Sequence, residues 1–142
     1  MKVFSRALIA GTALAVTVTF AGYASQEGRE DLMKAQGAAV KVLADMAGGK
    51  TPFDVGAASA ARDTLIADAA KIPEVFTDPA TEAESEAKAE IWTNWDDFVK
   101  KAEALGAAAT AMDVASAETI GAGMAAIGGA CKDCHTTYRA MK

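Results

Sequence analysis

Apolar positions recur at steps of three and four through most of the chain after residue 26, the spacing of one face of an α-helix. From Glu27 to Ala47 the recurring positions are Leu32, Ala35, Ala39, Val42 and Met46, and Gly48-Gly49 supplies the stop. Thr51-Pro52-Phe53-Asp54 predicts the start of a second helix, with threonine as cap, proline at the first helical position and a carboxylate toward the free N–H groups. Its buried face reads Leu65, Ala69, Ile72 and Phe76, and Pro73 is expected to break or kink the last turn. Asp78-Pro79 reads as a turn, and Thr81-x-x-Glu84 as a capping box that opens a third helix. That helix carries the most regular stripe: Ile91, Trp95, Phe98, Ala102, Leu105, Ala109 and Met112. Asp113 to Ser116 offers caps for a fourth, whose stripe runs Ile120, Met124, Ile127, Cys131, Cys134, Tyr138 and Met141.

Strand formers are scarce and no alternating pattern of useful length occurs, so the reading is all-α. Four helices of about 20 residues with short connections predict an antiparallel up-down-up-down four-helix bundle. The composition fits: 51% of residues are hydrophobic but only 6% aromatic, and there are three prolines. Alanine supplies much of the apolar fraction. Small side chains let helices approach closely and leave room between them for something large and apolar.

The first 24 residues stand apart. Lys2 and Arg6 precede an apolar run from Ala7 to Ala21, and Gly22-Tyr23-Ala24 places small residues where a signal peptidase reads. The run is about 15 residues, short of the roughly 20 that span a bilayer. Residues 1–24 are therefore expected to be a cleaved secretory signal peptide and residues 25–142 the exported domain. Loss of the two cations takes the formal charge from −5 to about −7. An acidic surface disfavours nucleic acid and anionic lipid, since neither releases counterions to it. It suits redox partner proteins with basic surfaces, and equally it keeps a domain soluble.

Both cysteines and the only histidine fall in one pentapeptide, Cys131-Lys132-Asp133-Cys134-His135. On a helix these three side chains share an arc of about 100°. Two thiols one turn apart can add to the two vinyl groups of one porphyrin, and the imidazole one turn beyond the first sulfur reaches the iron. The spacing is that of c-type haem attachment. A disulfide across one regular helical turn has poor geometry and leaves the histidine unexplained. A thioredoxin-like pair needs a βαβ setting, and a zinc site needs a fourth protein ligand or water, with no other Cys or His in the chain. The expected cofactor is one haem c, covalent through Cys131 and Cys134, with iron ligated by His135 and the group lying in the bundle core.

With that motif on the last helix of an exported bundle, the sequence resembles the class II c-type cytochromes, the cytochrome c prime family. Cys131 to Arg139, C-K-D-C-H-T-T-Y-R, is similar to the family's C-K-x-C-H-x-x-Y-R signature. Glu90-Ile91-Trp92 resembles its third-helix element, and Gly49 to Asp54 its entry to the second helix. The family divides by what faces the iron opposite the histidine. Arg29-Glu30-Asp31-Leu32-Met33-Lys34 resembles the low-spin branch, which implies Met33 as second iron ligand. Methionine in a bundle helix is ordinarily core filler, and Met46, Met112, Met124 and Met141 are present as well. The resemblance further implies that Arg29 pairs with a haem propionate, against the plainer reading of a solvated helix-end cation. A homodimer through the first two helices is also implied.

Two functions follow. With Met33 on the iron the protein is a periplasmic electron carrier, low-spin in both redox states, and not an enzyme. With the position open it is a high-spin, five-coordinate protein that binds nitric oxide or carbon monoxide. No second histidine or cluster of polar groups suggests catalysis.

Overall fold

A computed structural model describes residues 25–79 and 84–140; the expected signal peptide, Thr81 and Met141 lie outside them. The chain forms α1 (Gln26–Ala47), α2 (Val55–Val75), a single-turn α3 (Glu90–Thr93), α4 (Trp95–Ala111) and α5 (Ala117–Tyr138). The four long helices make the expected antiparallel bundle. Packing runs α1 on α2, α2 on α4, α4 on α5 and α5 back on α1, which closes the ring. No helix among the described residues is long and apolar enough to cross a membrane.

Each long helix starts on a side chain that satisfies free N–H groups, α4 excepted. Ser25 accepts from Gly28 N–H at the head of α1, and Ser116 and Thr119 form a reciprocal capping box at the head of α5. The second helix starts later than its proline suggests. Asp54, not Thr51, is the cap, accepting from Ala57 N–H at 2.7 Å, and Pro52 lies outside the helix. The stretch before it is bound to the end of α1, where Lys50 and Thr51 N–H both donate to Asp45 O. Pro73 does not end α2, which runs on to Val75.

The third helix departs further from its sequence reading. Glu84 lies in a turn and, among the described residues after α2, no helix begins before Glu90; the helix is then interrupted at Asn94. The reason is tertiary. Residues 84–89 run alongside the end of the chain, with Lys88 N–H donating to Tyr138 O (3.0 Å) and Ala140 N–H to Glu86 O (2.7 Å). Arg139 and Glu86 add an ion pair at 2.6 Å, and Lys88 Nζ donates to Thr137 O. Pairing with α5's end outweighs a weak capping signal.

The core follows the expected stripes on α2, α4 and α5, with Leu65, Ile72, Phe98, Leu105, Ile120 and Ile127 buried. On α1, Leu32, Ala39 and Met46 of the expected stripe are buried, and two of its positions shift by one residue. Gln36 and Leu43 are buried, whereas Ala35 is exposed and Val42 is 38% exposed. Arg29 is buried too, at 3% exposure, which removes the reading of it as a solvated cation.

Candidate functional site

The α1 face that turns inward carries Arg29, Met33 and Gln36, at steps of four and three. The last two turns of α5 carry Cys131, Cys134 and His135. Both sets line one cavity of about 510 Å³, so the bundle brings Arg29, Met33, Cys131, Cys134 and His135 to a single space. Its remaining walls are largely apolar, from Ile72 and Phe76 on α2 and its end, Ile91 on α3, and Phe98, Ala102 and Leu105 on α4. The volume lies in the range of ligand and cofactor pockets. Small residues on α4 and α5 leave this space rather than filling it.

On the α5 wall both thiols are half-buried and unbridged. Burial pushes both up, Cys134 to about 11, so each is a neutral thiol at neutral pH. Burial pushes the His135 imidazole down, with the nearby Arg139 guanidinium adding to the effect. A neutral imidazole keeps a lone pair for a metal. Three residues on, Tyr138 is buried, meets the Phe98 ring edge-on at 5.4 Å and donates from its hydroxyl to Asp97 at 2.7 Å. Burial and this hydrogen bond raise the phenol to about 12.

On the α1 wall, Met33 is the only methionine that lines the cavity among the described residues; Met46 and Met112 are in the core and Met124 packs against it. Arg29 donates from Nη1 to Asp78 O at 3.3 Å and lies over the Phe76 ring, 5.6 Å from its centre. Trp92 and Trp95, candidates for the lining by size alone, do not reach the cavity. Trp92 Nε1 donates to Phe76 O at 2.7 Å, and Trp95 packs on Phe98.

Among the polar lining residues that escape a hydrophobic reading of the sequence are Gln36, on a buried stripe, and Lys101 on α4. Lys101 bridges to Asp133, between the two cysteines, at 2.5 Å and to Asp97 at 3.9 Å. The Asp133 contact holds its ammonium above the usual lysine range. Its position one turn before Leu105 on the inward stripe of α4 is the signal that places it.

Two thiols and an imidazole on α5 and a thioether on α1, lining one largely apolar cavity, are a donor set that fits a covalently held haem. The fold and the site define a four-helix c-type cytochrome. The sequence profile of the Cytochrome C′ family matches residues 25–139, and the chain belongs to that family. Its cofactor is a covalent haem c. Over 146 residues it is 37% identical to a cytochrome c-556 of Agrobacterium fabrum (strain C58), covering 100% of this chain and 97% of that protein. It is 36% identical over 118 residues to a cytochrome c′ of Pararhodospirillum photometricum, covering 80% of this chain and 94% of that one. The fold is similar to a structure of oxidised cytochrome c556 from R. palustris, with a TM-score of 0.75 at 25% identity over 82% of this chain and 96% of the other.

Proposed function

We propose that this protein is a periplasmic electron carrier whose haem is bound through Cys131 and Cys134 and whose iron is six-coordinate, with His135 and Met33 as ligands. The observation that carries this reading is that Met33, on α1, lines the same cavity as His135, on α5. Kinship with a protein named cytochrome c-556 supports it. When bound, the haem supplies the one-electron couple of its iron. The residues of the chain set how that couple behaves. His135 offers a neutral nitrogen on one side, and Met33 a soft, uncharged sulfur on the other; methionine favours the ferrous form and raises the potential. Two ligands that stay in place through the redox cycle limit reorganisation. The apolar walls keep water out, and Arg29 stands where a cavity-facing carboxylate of the cofactor would find N–H donors.

Residues 1–24 act as the export signal in this reading, and residues 25–142 are the functional domain. Export puts the partners in the periplasm, with basic surfaces facing an acidic carrier. Val42, Phe53 and Val55, the exposed large apolar side chains, lie on α1 and at the entry to α2 and support a homodimer through those helices.

An optical spectrum of the haem-loaded protein tests the ligand pair. The expected result is a low-spin ferrous form and a weak near-infrared band of methionine–iron coordination in the ferric form. A high-spin ferric spectrum, with rapid carbon monoxide uptake on reduction, would overturn it in favour of gas binding.

A further inference from the structure

Gln36 has no role in attachment or in the axial pair, and its setting is costly. It is 7% exposed, and its Nε2 is the one buried side-chain nitrogen or oxygen without a hydrogen-bond partner among the described residues. A buried amide left unpaired costs about 1–3 kcal/mol, and an apolar side chain there would avoid that cost. The residue also lines the cavity, one turn past Met33 on the same face of α1.

The other polar groups on these walls are engaged. Arg29 donates to Asp78 O and covers Phe76, Lys101 is held by Asp133 and Asp97, and Tyr138 donates to Asp97. The last torsion of a glutamine side chain is soft, so its amide turns toward the cavity at little cost. What it meets there must be small. The end of the Met33 side chain, sulfur and methyl, is two heavy atoms, so moving it aside makes room for a molecule of about that size.

Taking the haem to lie between His135 and Met33, as proposed above, we infer that Gln36 is a hydrogen-bond donor on the Met33 side of the cavity, directed at a diatomic ligand that takes Met33's place. A neutral donor suits a neutral diatomic whose outer atom gathers partial negative charge on binding ferrous iron. Gln36 would therefore decide how long such a molecule stays once the thioether has moved.

The test uses the haem-loaded protein with Met33→Ala, reduced and saturated with carbon monoxide, and reads the C–O stretch and the dissociation rate. A donor at the outer atom lowers the stretch and slows release. The stretch should move to higher frequency in Met33→Ala/Gln36→Leu, with dissociation about fivefold faster, the effect of one ordinary hydrogen bond. Met33→Ala/Gln36→Met, which keeps the length of the side chain without its N–H, should behave like the leucine variant. Equal stretches and rates in all three proteins would overturn the inference. Should the unmutated protein take up carbon monoxide as readily as Met33→Ala, it is the Met33 assignment that fails. The comparison of the unmutated protein with Gln36→Leu then tests Gln36 alone.

Discussion

Met33 and Tyr138 act on the site through different physics, and each can be removed separately. Truncating Met33 to alanine takes away a sulfur and opens the space it filled, with no polar group left unpaired. The fold should survive, and the ferric spectrum should become high-spin with rapid carbon monoxide uptake after reduction; an unchanged spectrum would assign the second ligand elsewhere. Tyr138 contributes structure. Its ring meets Phe98 edge-on, and its hydroxyl ties α5, one turn after His135, to Asp97 on α4. Phenylalanine keeps the ring contact and loses a long contact with Asn94 O (3.4 Å) and the hydrogen bond to a carboxylate that is 57% exposed and can turn to water. The expected cost of Tyr138→Phe is about 1 kcal/mol, a fall of roughly 3–6 °C in the melting temperature of a domain this size. The visible spectrum should not change. The attachment pentapeptide was legible because its chemistry is local: three side chains, one helical turn, one known spacing. Gln36 and Lys101 were not, because a hydrophobic pattern is blind to polar residues that face a cavity.

Among the elements, the α1–α2 connection shows how local signals compete. Threonine followed by proline is a good helix start, yet Thr51 N–H is committed to Asp45 O, and Asp54 caps α2 three residues later. Asp45 also gathers two cations: Lys41 by a hydrogen bond and Lys50 at 3.7 Å. The Lys41 hydrogen bond, with the charges of both lysines behind it, holds the carboxyl below its ordinary value of 3.8. A carboxylate with a lowered folded-state pKa adds stability above its unfolded value, and that contribution is lost as pH falls through the folded value. Asp45→Asn should therefore unfold at lower denaturant than the parent at pH 7. The gap should narrow below about pH 4 and close once the parent's carboxyl is protonated. A gap unchanged between pH 7 and pH 2 would show that the loss is packing, not charge. The same competition explains why two positions of the α1 stripe fall one residue later than the pattern predicts. In an alanine-rich helix the faces through Ala35 and Val42 and through Gln36 and Leu43 are nearly equal in apolar content. Packing against α2 and α5 chooses between them. The third helix was misplaced for a comparable reason, since residues 84–89 pair with the end of α5.

At the scale of the whole molecule, the bundle's form was legible in four periodic stretches, but how copies of it associate depends on charge and on a small apolar surface together. A chain with a formal charge of −5 repels its own copy, and any dimer must overcome that repulsion. Val42, Phe53 and Val55, at 38%, 40% and 56% exposure, are the exposed large hydrophobics, and they lie on α1 and the approach to α2. The cavity's α5 wall, with its ion pairs to α4, is a separate part of the surface, so pairing through α1 and α2 leaves the haem-bearing helix open to partners. Salt shortens the reach of the repulsion to about 8 Å at physiological ionic strength while leaving the apolar contact intact. Sedimentation of the haem-loaded protein should accordingly show a dimer that tightens as salt is raised. Val55→Asp places a carboxylate in the most exposed of the three positions, adding one repulsive charge per copy and removing apolar contact area. It should be monomeric at low and high salt alike, with its visible spectrum unchanged because Val55 lies outside the cavity lining. A variant that dimerises as well as its parent would move the interface away from α1 and α2. A spectrum altered by dissociation would instead show that the second copy helps to shape the haem site.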